Sequence, residues 1–591
     1  GASDEILPRL EAAGIPFTYL ANTGLYRKQL VADLIGYLKL LDNYHESGSL
    51  YRTLNFPKFR LPAQDLATLT YYSGKHTLSL YETLKKTEER EESEKVEELG
   101  KLEAASRGKI KDLLESVHAH TELAKDRTVV EVFVQVVKDL RVADMLEEET
   151  LENAQNRELL EQFFKQIEAF EQDKTTSDKS LRAFLTDLDL ELRAGHDGDI
   201  KFDPNIGPET LKVLTVHAAK GLEFENVFVV NLVDQRFPTR EKSTGIDIPE
   251  PLVKDILPEG DFHLQEERRL FYVALTRAKK RLYLTWSKDY GGSRAKKPSL
   301  FLQETELVPS EKTTKATGKV VFSRPESHPK RQVYQELPST FSYSAINTFK
   351  KCPLEYKYAH YLKLPLPGAP QLSFGVTIHS TFQRYLEEYQ RTMHALQMDL
   401  FGASAKPELP SFERLLELYE AEWKDEWYPS KESKEGYREK GKELAKVFYE
   451  HCKKDLPKPL FIEKKFLLKL GELNFVGKID RADSGAEGLH VIDYKTGQPQ
   501  KRKSDEDVDQ LRIYQWACQE QFQEKVASLC YWYLEKNEFV EVPVASGEEI
   551  VALQESLLTT MQNIRDAVKY DRFSELHKKA KQHNCNFEDF I

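Results

Sequence analysis

Of the chain's 591 residues, the stretch from Leu473 to Lys495 restricts the fold most tightly. Two apolar runs of strand length, Leu473-Asn474-Phe475-Val476-Gly477-Lys478-Ile479-Asp480-Arg481 and Leu489-His490-Val491-Ile492-Asp493-Tyr494-Lys495, flank the turn signal Asp483-Ser484-Gly485. The pattern predicts a β-hairpin. With the turn centred near Ala486, Asp480 and Asp493 fall roughly opposite each other on antiparallel neighbours. Directly opposed side chains lie about 4.5–5.5 Å apart at Cβ, so the two carboxylates can share one divalent cation. Side chains alternate along a strand, which puts Asp493 and Lys495 on one face. Two carboxylates and an ammonium aimed at one point suit metal-assisted phosphodiester hydrolysis.

A lone Asp-x-Lys is more often a solvated surface pair, and a lone His more often a packed one, so the neighbours matter. Upstream, Phe374-Gly375-Val376-Thr377-Ile378-His379 opens a helix whose His379, Phe382 and Leu386 share a face. Downstream, Asp509-Gln510-Leu511-Arg512-Ile513-Tyr514 sets Gln510 and Tyr514 one helical turn apart. Gly375-x-x-x-His379, Gly477-x-x-Asp480, Asp493-x-Lys495 and Gln510-x-x-x-Tyr514, in that order, resemble the RecB-type branch of the PD-(D/E)xK nucleases over the last part of the chain. The resemblance implies His379, Asp480 and Asp493 as ligands of Mg²⁺ or Mn²⁺, with the Tyr494 carbonyl as a fourth. It implies that Lys495 orients the attacking water, and that Gln510 and Tyr514 support the site or touch the DNA backbone. Some members of that branch hold an iron–sulfur cluster on one early Cys and three late ones. Cys352 matches the first, but only Cys585 lies near the end and no Cys-x-x-Cys occurs, so no cluster is expected.

The other informative region begins at Leu211. Leu211 to His217 reads as a strand, Val227-Phe228-Val229-Val230 as a buried strand, Glu266 to Ala278 as a helix and Arg281 to Thr285 as a further strand. That is the grammar of an α/β domain with a parallel sheet. Thr215-Val216-His217-Ala218-Ala219-Lys220-Gly221-Leu222-Glu223 and Glu267-Arg268-Arg269-Leu270-Phe271-Tyr272-Val273-Ala274-Leu275-Thr276-Arg277-Ala278 resemble the fifth and sixth motifs of UvrD/Rep-like superfamily 1 helicases. By that resemblance Thr215 and His217 lie by the path of a DNA single strand or link it to the nucleotide, Glu223 contacts the ribose of ATP, and Arg277 reaches the γ-phosphate with Arg268 or Arg269 in support. An arginine so placed stabilises charge on the transferring phosphoryl group. Near the start, an amphipathic helix carrying Leu30, Val31, Leu34, Ile35, Leu38 and Leu41, followed by Asn55-Phe56-Pro57, resembles the part of these helicases after their fourth motif. Lys28 stands where the family has Arg, and Phe59-Arg60-Leu61 where a Gly-rich duplex-contacting turn is expected.

The expected architecture is therefore α/β and multidomain. Residues 1–45 open a second RecA-like domain, 46–195 form a mostly helical insertion, 196–302 complete the RecA-like domain, 303–338 are a linker, and 339–591 are the nuclease. Within the insertion, Val129, Val130, Val132, Phe133, Val136 and Val137 make a core stripe, and Lys85 to Lys101 is a solvated charge run. Ser342-x-Ser344 predicts a helix N-cap before Ile346 and Phe349. A helicase also needs Gly-x-x-x-x-Gly-Lys-Ser/Thr, and no Gly-Lys here precedes Ser or Thr. Gly74-Lys75-His76 is a decoy, and Asp425-Glu426 and Asp505-Glu506 lie in polar surroundings. ATP belongs to a complete protein with a missing N-terminal motor domain or a separate motor subunit.

Hydrophobic content of 40% with 31% charged residues fits a soluble globular chain, and no apolar run approaches the ~18 residues of a membrane span. Five cysteines call for no disulfide framework, and the cytoplasm is the expected compartment. A net charge of −12 removes whole-surface attraction to nucleic acid but leaves room for a local basic groove. The favoured function is the C-terminal part of an ATP-dependent 3′–5′ DNA helicase–nuclease acting on single strands and single/double-strand junctions. The alternative is a non-catalytic DNA-binding or scaffold subunit of a break-processing complex.

Overall fold

The computed structural model describes residues 6–579, apart from 14, 16, 21–23, 89–98, 100–101, 174, 177, 201–209, 241–260, 290–294, 306–336, 399–407 and 499–504. Most of the 85–101 charge run and of the 303–338 linker thus lies outside the described residues. The chain forms two compact units, one of Gly1–Gly24 with Asp199–Gln332 and one of Leu25–Gly198 with Val333–Ile591.

In the first unit, β1 (Phe17–Leu20) pairs in parallel with β2 (Leu211–Leu214), and β3 (Phe224–Val229) in parallel with β4 (Ala278–Leu284). Parallel neighbours need a crossover, and the helix Phe262–Leu275 lies in the connection from β3 to β4. Asp261 caps that helix by accepting from the Leu264 amide at 2.9 Å. The helix ends at Leu275, so Thr276 and Arg277 lie in the turn before β4 and not inside the helix as the sequence implied. The buried strand expected over 227–230 is a second correction. Only Val229 is buried, and Phe228 is 56% exposed, stacked on Tyr283 with ring centroids 4.3 Å apart. Among the described residues β3 and β4 form a two-stranded sheet.

In the second unit, the helical part includes the helix Gln29–Asp42, whose Val31, Leu34 and Leu38 are fully buried. Its Tyr37 hydroxyl meets His120 Nδ1 at 2.7 Å and its Lys39 meets Asp189 at 2.6 Å. These contacts hold the helix within the unit of Leu25–Gly198 and Val333–Ile591. Helix Val129–Asp139 opens with a Thr128–Glu131 capping box and buries the expected Val/Phe stripe, with Phe133 edge-on to Phe163. Phe59 and Leu61 are buried too, at the place where a duplex-contacting turn was expected. The decoy Gly74-Lys75 sits inside the helix Ala63–His76, which leaves no loop there for a phosphate.

The rest of this unit is a six-stranded sheet between two helical layers. The strands are β5 (Thr340–Ser342), β6 (Pro459–Leu470), β7 (Leu473–Ser484), β8 (Leu489–Lys495), β9 (Val526–Tyr533) and β10 (Glu538–Val542). Their order is β10-β9-β8-β7-β5, with β6 also on β7. One face packs on the helices Tyr343–Lys351, Asp505–Glu520 and Gly547–Lys569. The other packs on Pro370–Met398, Phe412–Glu422 and Lys431–Lys454. Ser342 caps its helix as expected, accepting from the Ala345 amide at 3.2 Å.

The helical part and the sheet are joined by polar contacts far apart in sequence. Arg127 donates to the carbonyls of Tyr428 (2.6 Å) and Pro429 (2.9 Å), and Glu131 accepts from the Trp427 amide at 3.0 Å. Glu171 lies nearby, buried, accepting from the Val130 amide at 3.3 Å. Burial first, and then the charge on Glu426, pushes Glu171 from 4.5 up to about 8. An acid raised on folding binds more protons folded than unfolded, so stability falls as pH rises from about 4.5 to about 8. Glu171→Gln removes this slope. Its melting temperature should exceed the parent's at pH 8, with the gap closing toward pH 4.5, as read by thermal melts across that range.

Candidate active site

The register of two hairpins builds the site. β7 pairs with β6 through Ile462–Arg481 and Lys464–Ile479, and with β8 from Arg481–Ile492 outward. One row is absent from both ladders. Continuing the register puts Glu463 across from Asp480 on one side and Asp493 across from it on the other. Three carboxylates therefore stand in a line over three neighbouring strands, at the fork where β7 and β8 part. Like charges directly opposed in a sheet repel. Glu463, moreover, holds a φ of +47°, a left-handed backbone that costs roughly 1–2 kcal/mol outside glycine.

Backbone groups released at the fork are taken up by the site. The Tyr494 amide donates to Asp480 Oδ2 at 3.2 Å, and the Tyr494 carbonyl meets His379 Nε2 at 3.2 Å. His379 projects from the helix Pro370–Met398, which starts four residues before the Phe374 expected from sequence. Its Nδ1 lies 3.4 Å from Glu463 Oε1 and 3.4 Å from Asp480 Oδ2. One turn further on, Phe382 stacks on Phe448 and meets Tyr494 edge-on, which fixes helix and strand together.

Each acid has its own cation. Glu463 pairs with Lys478, Asp480 with His379, and Asp493 with Lys495 at 2.7 Å. Gln510 donates to Asp493 Oδ1 at 3.0 Å and accepts from Lys495 at 3.2 Å, so its amide is oriented at both ends. Tyr514 donates to Asp493 at 3.4 Å, and the Lys495 ammonium also sits over the Tyr531 ring. Burial and then Asp493 push Asp480 up to about 7. Burial opposes charge on His379, but Asp480, Glu463 and Asp493 outweigh it and lift the imidazole to about 9. Glu463 is held below the usual range because His379 and Lys478 overcome its burial. Burial, with Asp480 and Asp493 adding to it, raises Tyr514 so that it stays a neutral donor.

The donor set fits a hard divalent cation. Ligand atoms of His379, Glu463 and Asp480 all lie within 4.8 Å of one another, and the central carboxylate is short of positive charge. The structure thus brings together all six residues singled out from the motifs, but with a different division. His379 and Asp480 gather with Glu463, while Asp493 is held on Lys495 and Gln510. Cys352 is buried with its Sγ 3.5 Å from His577 Nδ1, and Cys585 lies outside the described residues.

In the first unit the motif side chains meet other residues of that unit. Arg277 donates from Nη1 to the Leu222 carbonyl and from Nε to the Val273 carbonyl, both at 2.9 Å. Glu223, next to Leu222, faces Lys279 at 3.5 Å, so Glu223 and Arg277 share one end of the β3–β4 pair. Arg268 pairs with Glu304, and Arg269 with Glu266. Thr215 accepts from the Ala218 amide at 3.2 Å and His217 is exposed in the turn after β2.

Residues 2–289 match the UvrD-like helicase C-terminal domain, and residues 340–588 match the PD-(D/E)XK nuclease superfamily. The chain is a UvrD-like helicase C-terminal domain followed by a PD-(D/E)XK nuclease domain. It is 28% identical over 333 residues to the ATP-dependent DNA helicase PcrA of Staphylococcus epidermidis (strain ATCC 12228), a match covering 56% of this chain and 41% of that protein. The PcrA of Staphylococcus aureus (strain MRSA252) is 28% identical over 334 residues with the same coverage. The chain thus spans about two-fifths of the length of these relatives. No helix among the described residues is long and apolar enough to cross a membrane.

Within the PD-(D/E)XK domain, Glu463 is the residue that motif reasoning missed. Its signal was the second hairpin. A turn at Gly471-Glu472 sets Glu463 across from Asp480, just as the turn near Ala486 sets Asp493 there. The register also explains Gly477 in the Gly-x-x-Asp motif. Phe466 pairs directly with Gly477 and lays its ring where a Cβ would stand. Gly477→Ala should therefore destabilise the domain by about 1–3 kcal/mol through overpacking, read as a lowered melting temperature. Adding Phe466→Leu should recover part of that loss, and no recovery would show that the ring is not what demands glycine.

Proposed function

We propose that this chain is the C-terminal part of an ATP-dependent 3′–5′ DNA helicase–nuclease, and that its residues 339–591 are a divalent-metal-dependent deoxyribonuclease. The observation that carries the reading is the Glu463–Asp480–Asp493 row with His379 and Lys495 beside it. Perturbed titratable groups held close together in a fixed frame mark active sites more often than structural ones. Asp480, Glu463 and His379 would hold Mg²⁺ or Mn²⁺, with Asp493 and the Tyr494 carbonyl at the edge of the site. A cation there would polarise the phosphodiester and lower the pKa of a water molecule.

The chain's own groups supply the rest. Lys495 is positioned by Asp493 and Gln510, so its ammonium can orient the attacking water and offset charge gathering on the phosphorane. Tyr514 and Gln510 hold Asp493 in place. The His379 imidazole, donating from Nε2 to the Tyr494 carbonyl, leaves Nδ1 turned toward the two acids it would join as a ligand.

Hydrolysis of ATP is proposed for the longer protein, since the phosphate-cradling loop is not found in this sequence. There Glu223 would contact the ribose, Arg277 would exchange its carbonyl contacts for the γ-phosphate, Arg268 or Arg269 would support it, and Thr215 and His217 would flank the single strand. Support comes from the helicase-domain match and from the likeness to the ATP-dependent DNA helicase PcrA.

Two experiments test the two halves. Cleavage of a single-stranded oligodeoxynucleotide should stop on chelation, return with Mg²⁺ or Mn²⁺, and fall about 10²–10⁴-fold in Asp493→Ala, the scale of a positioned catalytic group. Equal cleavage by variant and parent would leave the scaffold reading in its place. When the chain is joined to a motor half carrying the phosphate loop, Arg277→Ala should lower DNA-stimulated ATP hydrolysis by about 10³-fold or more.

A further inference from the structure

A groove of about 550 Å³ opens beside the acidic row, between the helix Tyr343–Lys351 and the surface of β7. It is built into the site and not merely near it. Gln510 and Tyr514 line it and also bond Asp493, while Lys478 lines it and pairs with Glu463. The groove and the acidic row thus share three side chains. The volume falls in the ~300–1,000 Å³ range of sites that enclose a small organic ligand.

The lining is of two kinds. Its floor is apolar and aromatic, formed by buried Phe466, Phe475 and Ile513 with half-buried Tyr343 at the wall. Its rim carries the Ser342 and Ser344 hydroxyls 3.0 Å apart, the exposed Lys351 and the exposed Glu355. Non-specific single-strand sites have this division, with ring faces under the bases and hydroxyls and cations along the backbone. Asn347, between floor and rim, provides the decisive detail. Its Oδ1 is buried and has no hydrogen-bond partner. Buried polar atoms are nearly always paired, so an acceptor left open inside a groove points to a donor that arrives with a ligand. A phosphate has no proton to give, whereas the edge of a base has N–H groups.

We propose that this groove is the nucleotide subsite on one side of the scissile phosphodiester, with Ser344 and Lys351 on the phosphate and Asn347 on the base edge. The proposal rests on the nuclease reading and adds to it the surface over which the strand runs.

The test uses the full chain, saturating Mn²⁺ and a mixed-sequence single strand of about 20 nucleotides, long enough to fill such a site. Asn347→Ala and Lys351→Glu should each raise KM by about 10-fold or more and keep kcat within about twofold, the signature of lost uniform binding. Lys351→Arg, which keeps the charge, should avoid most of the KM rise expected of Lys351→Glu. Asn347→Asp, equal in size but carrying a charge that repels the backbone, should weaken strand binding measured with Ca²⁺ in place of Mn²⁺. That readout needs no turnover, and it serves if Asn347→Ala folds poorly. Unchanged KM in both first variants, or kcat and KM effects that follow a lowered melting temperature and leave Asn347→Asp binding at parent strength, overturns the subsite. Asp493→Ala separates the layers. If it is inactive while the groove variants match the parent, the subsite alone falls; if it cleaves like the parent, the nuclease reading falls first.

Discussion

The nuclease half of this molecule is arranged around a repulsion. Glu463, Asp480 and Asp493 occupy one row across three strands, all of them buried. In water such a row would cost little, but charges a few ångströms apart in a low-dielectric interior interact several times more strongly. Three cations sit around three acids, yet they are not equivalent. Lys478 and Lys495 each serve an outer carboxylate, while the central Asp480 has an imidazole, one backbone amide and acids on both sides. The shortage is therefore located on one residue, and burial with Asp493 beside it pushes Asp480 toward its protonated form. That imbalance is the observation on which the proposed cation site rests.

A fork between strands is a good place for such a row. Inside a continuous ladder the Tyr494 amide and carbonyl would bond to β7, and nothing would be left to orient Asp480 or His379. Where β7 and β8 part, those groups serve the site instead. The aromatic cluster behind the fork, with Phe382, Phe448, Tyr494 and Trp532 in mutual contact, keeps the opening from closing or widening. The positive φ at Glu463 belongs to the same account, since it turns one carboxylate out of the regular pleat and toward its partners.

What could be read in the sequence was what local periodicity controls. The Asp480–Asp493 opposition followed from one short turn and the alternation of side chains, and the His379 face from helical spacing. Glu463 obeyed the same rule but carried no motif, so nothing separated it from its neighbours Lys464 and Lys465 until the longer β6–β7 register was in hand. The grouping of the helical part with the nuclease was out of reach for a different reason. Arg127 and the Tyr428 carbonyl are 301 residues apart, and a contact between a guanidinium and a backbone carbonyl leaves no periodic trace. In the helicase-type unit the reverse holds. The motif letters were plain, while the exposure of Phe228 and the turn conformation of Arg277 left no mark in them.

The two functional regions differ in a way that bears on what each can do alone. Around Asp480 the charges are buried, close and unequal, and the surrounding helices hold them so. Around Arg277 they are exposed or half-buried and matched within the unit: Glu223 with Lys279, Arg268 with Glu304, Arg269 with Glu266, and Arg277 with two carbonyls. Exposed ion pairs of this kind contribute roughly 0–1 kcal/mol each, so a phosphate can displace them at small cost.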